Sequence, residues 1–68
     1  MQLIKKKTGS LQTGDVVHFG NFIDVVQSVE IEPLPRLIAR VNVFRRGVGR
    51  VWWNAGIDVL QDVRASDN

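Results

Sequence analysis

Between residues 15 and 54 apolar and polar side chains alternate over long stretches, and glycine or proline interrupts the alternation at short intervals. A period of two is the spacing of an extended chain, in which successive side chains point to opposite faces. In 22–32, Ile23, Val25, Val29 and Ile31 share one face, and Phe22, Asp24, Val26, Ser28, Glu30 and Glu32 share the other. In 36–45, Leu37, Ala39, Val41 and Val43 lie opposite Arg36, Ile38, Arg40, Asn42 and Phe44. Both runs are rich in β-branched residues and predict strands. Residues 15–19 and 50–54 read as shorter strands. The turns fall at Gly9-Ser10, Thr13-Gly14, Gly20-Asn21, Pro33-Leu34-Pro35, Gly47-Val48-Gly49 and Gly56. The segment 57–63 alternates but also fits a helical turn or two; a final strand beside a short helical turn is the preferred reading.

Five short strands joined by tight turns in 68 residues predict an all-β chain, a small five-stranded SH3-like barrel, with OB-like and Sm-like barrels as alternatives. Closure removes the unpaired edges that an open sheet presents. The whole of 1–68 reads as one domain, with 1–12 an N-terminal arm or edge strand and 65–68 a frayed tail. The predicted core is Val17, Phe19, Ile23, Val25, Val29, Ile31, Val41, Val43, Val51 and Trp53. Because Trp52 and Trp53 are adjacent in a strand, only one faces that core. Alternation from Val51 selects Trp53 and leaves Trp52 outside.

Little chemistry is open to such a chain. It has no cysteine, and His18 is its one histidine, so disulfides and Cys- or His-cluster metal sites within one chain are excluded. No cofactor is expected. Ser10, Ser28 and Ser66 lack a nucleophile motif, and Arg46-Gly-Val-Gly-Arg50 lacks the spacing of a phosphate-binding loop. His18 has no nucleophile beside it and reads as structural or exposed. The expectation is therefore not an enzyme. No apolar run approaches the roughly 18–20 residues of a membrane span. No hydrophobic segment follows Lys5-Lys6-Lys7, so no secretory signal is read and a cytoplasmic location is expected.

The net charge is +2, but the charges are segregated. Residues 1–14 hold three lysines and no acid, 15–32 hold four acids, 33–50 hold five arginines and no acid, and 51–68 are again acidic. Such blocks pair across strands or leave a basic surface for an acidic partner; cross-strand pairing or solvation carries the larger weight. Arg45, Arg46 and Arg50 flank a turn that leads into Trp52. Arginine pairs with phosphate, and an exposed indole stacks on a base. Arg45, Arg46, Arg50 and Trp52 are thus the candidate nucleic-acid or partner site, with Lys5, Lys6 and Lys7 as an extension. Ile38, Phe44 and Trp52, opposite the core face, are the candidates for self-association as a homodimer.

The order of these pieces resembles the KOW domain of NusG-type transcription elongation factors. Thr13-Gly14-Asp15-Val16-Val17 is similar to that family's opening G-D-x-V, Gly20-Asn21-Phe22 to its G-P-F turn, and Arg36 to Arg46 to its third strand. The resemblance covers roughly 13–63. It implies an SH3-like barrel that contacts RNA polymerase, the ribosome or nucleic acid, and hence a small non-enzymatic binding module tied to transcription or translation. The alternative is a protein–protein interaction module, such as a small phage or mobile-element adaptor or inhibitor.

Overall fold

The computed structural model describes residues 2–33 and 35–65; residues 66–68 of the expected frayed tail lie outside that range. Among the described residues six strands form one antiparallel sheet: β1 (Leu3–Lys7), β2 (Val16–Phe19), β3 (Phe22–Glu32), β4 (Ile38–Arg45), β5 (Gly49–Gly56) and β6 (Leu60–Arg64). A 3₁₀ turn, Thr8–Ser10, follows β1. The spatial order is β1-β6-β2-β3-β4-β5. The chain is thus all-β as expected, but with six strands rather than five and with the sheet not closed into a barrel. The additional strand is β1, the arm or edge strand of the sequence reading, which pairs with β6 from Leu3↔Arg64 to Lys7↔Leu60. The last segment is a strand preceded by a turn, in which the Val59 amide donates to the Gly56 carbonyl.

The sheet still curls over one core. Leu11, Val17, Val26, Val41, Val43, Trp53 and Val63 form a single buried cluster. That cluster joins β2 and β6 to β3, β4 and β5, so the two ends of the sheet fold toward each other. The 3₁₀ turn packs on β4 and β5. Its start is fixed by the Thr8 amide on the Val59 carbonyl and the Gly9 amide on the Ile57 carbonyl, both at 2.9 Å. The buried Thr8 hydroxyl also donates to the Val59 carbonyl and accepts from Gln61 Nε2.

Expected core residues are overturned at one strand, β3, and Leu11, Ala39 and Val63, outside the expected set, are also buried. Val17, Val41, Val43 and Trp53 are buried, and Phe19, Val29 and Val51 pack against them. Ile23 and Val25, expected inside, lie on the outer face, while Asp24 and Val26 are fully buried. The cause is a β-bulge. Val26 pairs with Val43, and the next pair is Ser28 with Asn42, so Gln27 is an extra residue. A bulge exchanges the faces of everything on one side of it and bends the strand. After it Val29 returns to the inner face, as does Ile31, which stays 48% exposed near the sheet's end. The bulge sits where β3 leaves β2 and continues with β4 alone. There the Val26 amide donates to the Asp15 carbonyl and the Val26 carbonyl accepts from Gly14, both at 2.8 Å. Gly14 has φ +94°, a conformation that favours glycine. Asp15 closes the same turn by accepting from the Gln12 amide. The Gly-Asp pair of the sequence is therefore the brace behind the bulge.

This face assignment separates two neighbouring valines. Val26→Ala removes two buried methyl-sized groups and leaves a cavity, so it should cost about 2–3 kcal/mol. Val25→Ala, on the outer face, should cost less than about 1 kcal/mol. Urea unfolding of both variants checks the order; equal costs, or a larger cost at Val25, would refute the bulge.

Candidate nucleic-acid interface

The candidate residues divide into two groups by the faces they occupy. Arg45 belongs to the inner group. It ends β4 opposite Asp24, and the bulge has turned Asp24 inward. The Asp24 carboxylate accepts from Arg45 Nε at 2.8 Å and Nη2 at 2.9 Å, and from Trp53 Nε1 at 3.1 Å. Two parallel bonds from one guanidinium are the strong, planar form of ion pair. Their hydrogen bonding holds Arg45 protonated beyond its ordinary range, against the opposing effect of desolvation, with charge attraction adding to it. Aromatic rings wall the pair: Phe22 lies 3.9 Å and Phe19 5.9 Å from the guanidinium carbon. Phe19 in turn stacks on Trp53 at 4.5 Å between centroids. Arg45, read from sequence as a turn cation open to a ligand, is committed to the fold. The residue that sequence reasoning missed is Asp24.

The outer group lies on β4 and β5. Adjacent rungs of the sheet set Val25, Phe44 and Arg50 in one line, Ser28, Asn42 and Trp52 in the next, and Glu30, Arg40 and Asn54 in a third. Phe44 and Trp52 are 51% and 54% exposed. They are diagonal neighbours, a spacing across which large side chains still meet. Arg40 lies over the Trp52 ring, its guanidinium carbon 3.9 Å from the centroid, and so orders the indole by a cation–π contact. Asn42 donates to Glu30 at 2.8 Å and to Ser28 at 3.0 Å, which ties the one acid of these rungs to its neighbour. A shallow groove borders Trp52 on each side, one lined by Glu30, Glu32, Ile38, Arg40 and Asn54, the other by Gln27, Asn42 and Arg50.

The bulge has a second effect on this surface. Ile23 and Val25, turned outward, combine with Val16 and Phe44 into an apolar floor bordered by Arg46 and Arg64. Arg40, Arg46 and Arg50 form no ion pair among the described residues. The outer face of β4–β5 and its turn therefore presents, among the described residues, two aromatic rings beside three guanidinium groups that form no ion pair, with Glu30 and Glu32 at the Arg40 end.

The lysines are placed differently. Each faces an acid: Lys5 pairs with Asp62, Lys6 with Asp15 at 2.8 Å and Lys7 with Asp58 at 3.5 Å. They sit on β1, at the opposite end of the sheet order from β5; Lys5 pairs across strands with Asp62, while Lys6 and Lys7 reach acids outside the strands. Ile38, Phe44 and Trp52 lie on one face, but Ile38 is half-buried and stands near the far end of β4, opposite Gly56. His18 is half-buried, with Nε2 unbonded among the described residues. No group of three His, Cys, Asp or Glu side chains among the described residues is placed to hold a metal ion. No helix among them is long and apolar enough to cross a membrane. No protein-family model, curated protein or solved structure matches this chain.

The inner network predicts a coupled stability effect. Asp24→Ala leaves the buried Trp53 Nε1 without an acceptor and the Arg45 guanidinium without its counter-ion, and should cost about 3–5 kcal/mol. Adding Arg45→Met should cost little more, because the partner that Arg45 served is already gone. Denaturant titration of Asp24→Ala, Arg45→Met and the double variant reads this directly; strictly additive costs would show that the two side chains do not work as a unit.

Proposed function

We propose that the chain is a non-enzymatic module that binds single-stranded nucleic acid across the outer face of β4 and β5. The observation that carries this reading is the exposed pair Phe44 and Trp52, set among Arg40, Arg46 and Arg50, which form no ion pair among the described residues. Every base has a flat face for an aromatic ring, and guanidinium groups beside it contact the phosphates. Arg40 on the indole prepares a stack to which a base adds a further layer. The resemblance to KOW domains supports the same reading and with it an SH3-like ancestry, left open along one seam. A cytoplasmic transcription or translation complex is the setting this implies. Protein binding is the second reading, and the apolar floor of Val16, Ile23 and Val25 favours it, since a protein side chain fills such a floor better than a sugar-phosphate chain does.

Trp53 is buried and Trp52 is exposed, so fluorescence quenching on ligand addition reports on Trp52. Titration with single-stranded RNA and DNA oligonucleotides should quench it, and the affinity should fall steeply as salt is raised, because bound phosphates release counterions. Trp52→Ala should weaken binding about 5- to 150-fold, the worth of one stacked base, and leave the melting temperature nearly unchanged. Absence of binding at low salt would refute the nucleic-acid reading. Capture of a protein from lysate that depends on Trp52 but little on salt would then favour the second.

A further inference from the structure

The sheet order ends on β5, and among the described residues the backbone of β5 from Arg50 to Ala55 bonds only to β4. Its other side is an open row of amides and carbonyls. The two edges of the sheet are protected unequally. β1 carries Lys5, Lys6 and Lys7, and lysine on an edge discourages pairing with another chain. From Val51 to Gly56 β5 carries neither charge nor proline, and such an edge templates a further strand.

We propose that two copies of this chain pair β5 against β5, antiparallel, about a two-fold axis through Trp53, and so join two six-stranded sheets into one. The sequence of β5 identifies the occupant as a second copy, because the strand complements itself. Directly opposed residues of an antiparallel pair project from the same face. Centring on Trp53 sets Trp52 opposite Asn54, Val51 opposite Ala55 and Arg50 opposite Gly56, and the two-fold axis repeats each pair. Bulky side chains meet small ones at every rung outside the axis, and no cation meets a cation. The axial residue opposes its own copy in any such register; centring on Trp53 puts there a ring already held in its own core, whereas centring on Trp52 opposes two exposed rings and sets Val51 against Trp53, and centring on Asn54 shortens the ladder. A two-fold interface uses one patch on both subunits, as this register does. The inference stands apart from the nucleic-acid reading. If both hold, the joined sheet sets two Trp52 rings on one continuous outer face.

The absence of cysteine makes the register readable by single substitutions. The native chain at high micromolar concentration should have a dimer mass by light scattering after size exclusion. Trp52→Cys and Asn54→Cys alter exposed side chains, and a thermal melt of each checks that it folds. Under mild oxidation an equimolar mixture should form the disulfide between Cys at 52 and Cys at 54 of different chains, in preference to either homodimer. Identical positions lie diagonally across the axis, beyond the roughly 7 Å Cα separation that a disulfide spans. A monomer mass for the native chain would overturn the proposal, and so would a dimer whose disulfides form preferentially between identical positions.

Discussion

A single buried carboxylate organises this small protein. Trp53 is the largest side chain in a core otherwise made mainly of valines, and its indole N–H cannot be buried without an acceptor. Asp24 supplies that acceptor and, being fully buried, needs a cation of its own. Arg45 supplies it from the end of β4. Removing Asp24 strands both of the others, and removing Arg45 leaves a buried carboxylate without its cation, which is where a buried ion pair is costly. Much of the rest is arranged to let Asp24 point inward: the extra residue Gln27, the brace from Gly14 and Asp15, and the stack of Phe19 on Trp53.

The same bulge that buries Asp24 shapes the outer surface. Turning Asp24 in turns Ile23 and Val25 out, and they extend an apolar floor beside Phe44. Taking Asp24 and Arg45 into the core leaves Arg40, Arg46 and Arg50 as the arginines of the outer face of β4–β5 and its turn. The burial of Asp24 and the apolar floor are thus two consequences of one change of parity, whereas Phe44, Trp52, Arg40 and Arg50 face outward by the regular alternation of β4 and β5. A substitution at Gln27 or Gly14 acts on both, whereas one at Trp52 acts on the surface alone.

Much of the architecture was legible from residue order. In β4 and β5 strict alternation placed Val41, Val43 and Trp53 inside and Phe44 and Trp52 outside, and these two strands pair without irregularity over their whole length. Alternation failed in β3, where it was carried across Gln27 as if the strand were regular. A signal was present: Gln27-Ser28 is a polar doublet between Val26 and Val29, and two consecutive polar residues between inward valines mark an inserted residue. The strand β1 was legible only as an edge, because Leu-Ile-Lys-Lys-Lys has no apolar alternation and takes its structure from pairing with β6. Alternation from Val43 already puts Arg45 on the inner face, but its partner could not be read locally, since Asp24 is 21 residues away in the chain and faces inward only because of the bulge. The openness of the sheet was likewise beyond a local reading: strand patterns give faces and lengths, not which edges meet.

The two indole N–H groups offer the most direct test of this account. Trp53 Nε1 is bonded to Asp24 inside the core, and Trp52 is half exposed on the outer face. A proton–nitrogen correlation spectrum recorded with a soluble paramagnetic agent, and again after transfer to deuterated water, observes both at once. The account predicts one indole resonance that is protected from the agent and exchanges slowly, lost as a distinct signal in Asp24→Ala, and a second that is bleached and exchanges at once, absent in Trp52→Ala. Two equally bleached indole signals, or a protected signal that disappears with Trp52, would contradict it.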